Sequence, residues 1–218
     1  MIHQPTEESF LKDISSHSMK VVMNSGIHRH LLFKSATNSY NMWFEIITWP
    51  GVLTIHGDMG TWTFSRVDDM FTFFRCSHGK LHINPSYWAE KLRGGVHGGI
   101  DNSKVWEEES FRENLVRQLT EYYSLEGEDL AAVKQALDED VLSQDGKYDL
   151  MIAARDFSCP LPSGDDGESH GRHGKFQFDT CELPSGMEYA YHFIWCLYAI
   201  VWAIQVWNVR PGGTDDRT

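Results

Sequence analysis

Residues 42–75 read MWFEIITWPGVLTIHGDMGTWTFSRVDDMFTFFR, and the fold is decided there. Pro50-Gly51 is a turn signal, because proline presets φ at the first central position and glycine accepts a positive φ at the second. A two-residue loop sets Trp49 against Val52, Ile47 against Thr54 and Glu45 against His56. GDMG supplies the next turn: with Asp58-Met59 at its tip, His56 faces Thr61, Thr54 faces Thr63 and Val52 faces Ser65. The two registers agree. Phe44, Ile46, Leu53, Ile55, Trp62 and Phe64 fall on one face, while Glu45, Ile47, Trp49, Val52, Thr54, His56, Thr61, Thr63 and Ser65 fall on the other. Ser65 is then placed to cap a helix with Asp68 in its first turn. Val67, Met70, Phe71 and Phe74 recur at i, i+3, i+4 and i+7 and form its inward stripe.

Upstream, residues 27–33 (IHRHLLF) alternate as a strand, and residues 1–20 are polar without a clear period. Downstream, Asn84-Pro85 opens a short helix running to Leu92, with proline at its tolerated first position. Residues 107–123 and 128–142 are acidic helices, turning Phe111, Leu115, Leu119 and Tyr122, then Leu130, Val133, Leu137 and Val141, inward. Residues 148–156 make a third helix and 176–181 a strand; Ser185 and Glu188 form a capping box for the last helix. Strands early, acidic helices in the middle and an apolar helix at the end predict an α+β fold. The expected form is a small antiparallel sheet packed against helices, with a long buried C-terminal helix. A single domain over residues 1–218 is expected, with residues 101–157 as its acidic helical segment.

That last helix needs separate thought. Residues 189–207 (YAYHFIWCLYAIVWAIQVW) carry no formal charge and approach the ~20 residues that span a bilayer. His192, Gln205 and the aromatics spread through its middle favour a central core helix instead, and no membrane association is expected.

The net charge of −12 is unevenly spread. Residues 101–150 hold 14 Asp and Glu against 5 Lys and Arg, whereas residues 1–100 hold 8 against 9. This argues against generic binding to nucleic-acid backbones, which needs basic patches. It suits a basic partner or mimicry of a phosphate backbone, or simply a solvated helical face. The four cysteines (Cys76, Cys159, Cys181, Cys196) show no CxxC spacing, and the N-terminus lacks the pattern of a signal peptide, so a reduced cytoplasmic protein is expected.

No GxSxG, HExxH, Walker or Rossmann motif is present. Glu45, His56 and Thr61 share a cross-strand row, and a carboxylate that orients an imidazole can prepare it for proton transfer; a polar pair on a wet face is the plainer reading. Trp49 on the same face suits a binding surface, unless the acidic helices bury it. Asp58 sits at a turn tip, where Asp is common for backbone reasons. His28 and His30 share a strand face as metal ligands do, but no carboxylate or third histidine is in register beside them. His170 and His173 in SHGRHGK need Cys159 or Cys181 to complete a zinc site. The glycines of residues 93–103 (RGGVHGGIDNS) lack a leading strand and a following GK[ST], so no phosphate cradle is assigned. No cofactor and no metal is assigned.

FEIITWPGVLTIHGDMGTWTFSRVDDMFTFFR, INPSYWAEKL and EYAYHFIWCLYAIVWAI together resemble a family of uncharacterised accessory proteins of tailed bacteriophages and prophages, in the motif order WPG…GDMG…FSR…DMF. The resemblance spans about half the chain and carries over no functional residue. It implies a phage protein acting in the host cytoplasm, where such proteins often inhibit host machinery, including antiviral defence.

The expectation is therefore a non-catalytic binding protein. It would occupy a host protein, basic or nucleic-acid-binding in character, or sequester a small signalling ligand. The charged contact is assigned to Glu107, Glu108, Glu109, Glu113, Glu128, Asp129, Asp138, Glu139 and Asp140, with Glu45, Trp49, His56 and Asp58 as the sheet-face candidates. The alternatives are a small metal-dependent hydrolase or nuclease using His28, His30 or the Glu45–His56 pair, and an acidic DNA mimic. Oligomeric state is not legible.

Overall fold

The computed structural model describes residues 4–37, 40–75, 80–93, 103–164 and 174–210. The chain forms two compact units: residues 106–188 form one, and the segments 2–105 and 189–218 together form the other. The fold is α+β.

The flanking segments build the sheet unit. It opens with α1 (Glu7–Asp13), whose N-terminus is closed by a reciprocal Thr6–Ser9 capping box. Five antiparallel strands follow as a meander: β1 (His17–Ser25), β2 (His28–Ser35), β3 (Phe44–Trp49), β4 (Val52–Gly57) and β5 (Gly60–Ser65). The polar appearance of residues 1–20 therefore concealed a helix and the start of an edge strand. The β3–β4 and β4–β5 pairings match every cross-strand pair expected from the two turns. Gly51 takes φ +79°, as its turn position requires. A Cβ on Gly57 would lie 2.2 Å from the Trp43 carbonyl oxygen, so only glycine allows β3 and β4 to close there.

The helix after β5 starts later than expected. Ser65 ends β5; Asp69 caps the single turn α2 (Met70–Phe73) by accepting from the Phe71 N–H (3.0 Å). Met70, Phe71 and Phe74 are buried, but Val67 precedes the helix and is exposed. The next helix, α3 (Pro85–Ala89), is capped by Asn84 and stops short of Leu92. Leu92 bridges Phe64, and Lys91 and Arg93 exchange backbone hydrogen bonds with Ser65 and Thr63, so this segment covers the β5 edge.

The last helix, α7 (Tyr191–Val209), closes the inner face of the sheet. Phe10 of α1 and Phe44 of β3 both meet the Trp195 ring edge-on (5.0 and 5.8 Å), and Trp62 meets Phe193 (5.1 Å). The indole N–H of Trp195 donates to Asp13 (3.0 Å), so this ring is buried without an orphaned donor. Among the described residues, α7 is the one helix long and apolar enough to cross a membrane; 61% of its apolar window is buried within this structure, as in a core helix. It begins after Ala190, not at the expected Ser185–Glu188 box: Ser185 accepts from the Met187 N–H, and Met187–Tyr189 form a short strand.

Residues 106–188 build the acidic unit. Its helices are α4 (Glu108–Glu121), α5 (Gly127–Asp140) and α6 (Lys147–Asp156). Two short strands, β6 (Lys104–Trp106) and β9 (Met187–Tyr189), pair where the chain enters and leaves the unit. Phe111, Leu115, Leu119, Val133, Leu137 and Val141 are buried as the helical period requires. Tyr122 is exposed and the neighbouring Tyr123 is buried in its place; its hydroxyl accepts from the Asp179 N–H (2.8 Å). The expected 176–181 strand shrinks to β8 (Lys175–Phe176), paired with β7 (Cys159–Pro160). Phe176 and Phe178 still turn inward, which accounts for the alternation seen in the sequence.

Candidate functional site

The outer face of the sheet collects the polar row that the turns impose. Lys20, Leu32, Glu45, His56 and Thr61 lie across all five strands, beside a second row of Met23, His30, Ile47, Thr54 and Thr63. Trp49, Val52 and Ser65 continue the face, and the Trp49 indole is 42% exposed.

Sharing a row does not make these groups a catalytic chain. Glu45 stands opposite His56, yet its carboxylate turns diagonally to His30 Nε2 (2.7 Å). His56 Nδ1 instead hydrogen-bonds Thr61 Oγ1 (2.7 Å), and its ring meets the edge of Trp43 (5.5 Å). A hydroxyl–imidazole pair acts as nucleophile and base when a third group orients the imidazole. Here the orienting carboxylate serves a different histidine. Thr54 and Thr63 likewise satisfy each other (3.0 Å). The diagonal Glu45 contact also corrects the expectation that no carboxylate reaches the His28–His30 strand. Among the described residues no three His, Cys, Asp or Glu side chains converge to hold a metal ion. His170, His173 and the central glycines of RGGVHGGIDNS lie outside the described residues.

Asp58 has a backbone task. Its carboxylate accepts from the Met42 N–H (2.9 Å) while its own N–H donates to the Trp43 carbonyl (3.0 Å), which holds Met42 at φ +56°.

Two charged groups of the sheet unit gave no sequence signal as sites. Arg29 faces the core, 5% exposed, and forks onto Asp69 with two hydrogen bonds of 2.8 and 2.9 Å. Its guanidinium lies 4.5 Å from the Phe71 ring centroid. Burial acts against the Asp69 carboxylate, but the Arg29 bonds, the Phe71 N–H and the charges of Arg29 and Arg75 outweigh it and hold the carboxyl below its ordinary range. His17 contacts the Met42 carbonyl through Nε2 (3.1 Å), so Nε2 carries the proton and Nδ1 keeps its lone pair, buried and without a hydrogen-bond partner among the described residues. Burial lowers the pKa of this imidazole against the opposing pull of Met42 and Asp13.

The acidic unit holds 20 of the 31 Asp and Glu and 7 of the 19 Lys and Arg, a balance of −13, against +1 for the rest of the chain. Some of the expected contact residues are committed locally. Glu108 bonds Arg112 (2.6 Å) and the Gly146 N–H (3.1 Å), which keep its carboxyl below the usual range. Asp129 accepts from the Ser163 hydroxyl (2.6 Å) and N–H (2.9 Å), with the same effect. Glu107 stands at the N-cap of α4 without a capping bond. Glu109, Glu113 and Glu128 are exposed.

Asp138, Glu139 and Asp140 differ from all of these. They occupy the last turn of α5, are exposed, and form no ion pair among the described residues. A helix C-terminus carries about half a negative charge, so each of these carboxylates costs stability there. Gln135 donates to Glu139 (3.0 Å), a neutral contact that offsets little of this.

A depression at the α4–α5 turn, lined by Thr120, Ser124, Leu125, Glu126, Gly127 and Leu130, is too open to enclose a small ligand. No protein-family model, curated protein or solved structure matches this chain.

Proposed function

We propose that the chain is a phage-encoded, non-catalytic binding protein that occupies a basic host protein in the host cytoplasm, with the acidic helices as its charged contact. One observation carries the reading: Asp138, Glu139 and Asp140 crowd the negative end of α5, and none of them has an ion-pair partner among the described residues. Local rules of this kind are broken at functional sites more than elsewhere. A solubility surface needs charge, but not at the one helix terminus where that charge is unfavourable.

The sheet face supports the same reading in a weaker way. The His30 and His56 imidazoles, the Glu45 carboxylate and the Thr54, Thr61 and Thr63 hydroxyls are turned toward one another, which suits a recognition surface around Trp49 better than a reaction centre. The partner class implied is a protein with a lysine- and arginine-rich face, of the kind that nucleic-acid enzymes and defence factors present.

The test is Asp138→Lys/Glu139→Lys/Asp140→Lys. Each reversal is expected to raise stability by about 0.3–1 kcal/mol, read by denaturant titration. The same variant is expected to slow association with a host protein retained at low salt by about tenfold and to flatten its salt dependence. Stability rising with binding unchanged would leave these helices as solubility surface alone.

A further inference from the structure

Helix α6 (Lys147–Asp156) has two apolar sides where one is enough. Leu150 and Ala154, with Phe157 just beyond, face the core of the acidic unit and are fully or almost fully buried. Tyr148, Met151 and Ile152 stand on the opposite side at i, i+3 and i+4, and they are 78%, 38% and 50% exposed. Arg155 completes that side at i+7 but is engaged by Asp156 through two hydrogen bonds (2.7 and 3.1 Å).

Single exposed apolar residues are ordinary; three on one helical face form a stripe. The helix is already anchored from behind by Leu150, Ala154 and Phe157, so the stripe is not what holds it in place. Tyrosine and methionine are enriched at interfaces, and an i, i+3, i+4 set of anchors is how a helix seats in a groove.

We propose that Tyr148, Met151 and Ile152 are the apolar anchor by which the acidic unit docks into a groove on a partner protein, and that lysine and arginine rim that groove. The inference rests on the binding role proposed above and names the part of the surface that makes the close contact. Charge selects the occupant. The stripe lies on a unit of net charge −13, and the exposed Asp145 and Asp149 are close to it in the sequence. A second copy would bring a second −13 against the first, and nucleic acids and anionic membranes carry the same sign. A basic-rimmed protein groove matches both the apolar stripe and its acidic margin.

The test compares two full-length variants in titrations against the purified host protein retained on wild-type resin. Tyr148→Ala/Met151→Ala/Ile152→Ala is expected to keep the wild-type thermal midpoint, because the three side chains are exposed, and to lose at least about tenfold in affinity at low and high salt alike. The Asp138→Lys/Glu139→Lys/Asp140→Lys variant is expected to lose affinity at low salt only. Loss with the charge variant but not with the alanine variant overturns this inference and leaves the binding role standing. Loss with neither, or no protein retained at all, overturns both. Concentration-dependent dimerisation of wild type that the alanine variant abolishes makes the stripe a self-interface. Flotation of wild type with phosphatidylcholine vesicles, abolished in the same variant, makes it a lipid contact. Either result overturns the proposal.

Discussion

The two units of this chain obey different rules. In the sheet unit polar groups are matched almost one to one. Arg29 faces inward but meets Asp69 and an aromatic ring; Glu45 meets His30, His56 meets Thr61, and the Trp195 N–H meets Asp13. Its charge is near zero, and Phe10, Phe33, Phe44, Phe64 and Trp195 are buried with α7, while Trp49 and the Val21–Met23 edge stay exposed. The acidic unit keeps a sound core of Leu, Val and Phe, yet carries carboxylates at the unfavourable end of one helix and apolar side chains on the outside of another. A region whose charged groups are matched in this way explains most of its own charges. A region that gives up stability at its surface points to a demand from outside, and the function is sought there.

The largest effect that tests this contrast is in the core of the sheet unit. Trp195→Ala removes the ring that joins α1, β3 and α7 and is expected to cost about 3–5 kcal/mol in denaturant unfolding. Hydrogen exchange should then lose protection in the strands while α4–α6 retain theirs. Equal loss in both would break the contrast and mark one cooperative structure. Next in size is Arg29→Ala, expected to cost about 3 kcal/mol because it strands Asp69 without its partner. The Asp69 carboxyl titrates lower folded than its ordinary 3.8, so its contribution is complete above that value and is lost as pH falls through the folded pKa. Acid unfolding curves should show this loss in wild type and less of it in Arg29→Ala. The smallest effect belongs to His17. Its folded pKa lies below 6.5, so it contributes fully above 6.5 and the stability drains away as pH falls toward the folded pKa. Thermal midpoints below 6.5 should decline less steeply in His17→Asn, which cannot take up that proton.

The hairpins were legible because two turns and one alternation had to agree, and a shift by one residue would have turned Phe44, Leu53 and Phe64 to solvent. Strand β1 was not legible. At the sheet edge, with a bulge between Val21 and Met23, Val21, Val22 and Met23 are 43–50% exposed and leave no alternating trace. The helix start was misplaced because Ser65 and Asp69 are both good caps, and strand pairing claimed Ser65. The strand period groups Arg29 with Leu31 but does not say which side is inward, and it says nothing of a partner forty residues on. The Glu45–His30 contact was hidden for a related reason: diagonal neighbours meet through side-chain length and sheet twist, neither of which a register supplies. The α6 helix was legible, but its outward stripe was not, because apolar spacing alone cannot say which of two apolar sides faces the core.

The placement of α7 has a consequence during translation. The five strands are complete by Ser65, yet the helix that covers their inner face begins only at Tyr191, so more than half the chain must be synthesised in between. Throughout that interval Leu31, Phe33, Phe44, Ile46, Leu53, Ile55 and Phe64 lack their final cover on the nascent polypeptide. Residues 106–188 leave the ribosome as one continuous stretch and wait for nothing downstream to complete their own contacts. The late arrival of one helix makes the sheet, and not the charged insert, the part of this molecule that most needs chaperone protection while it is being made.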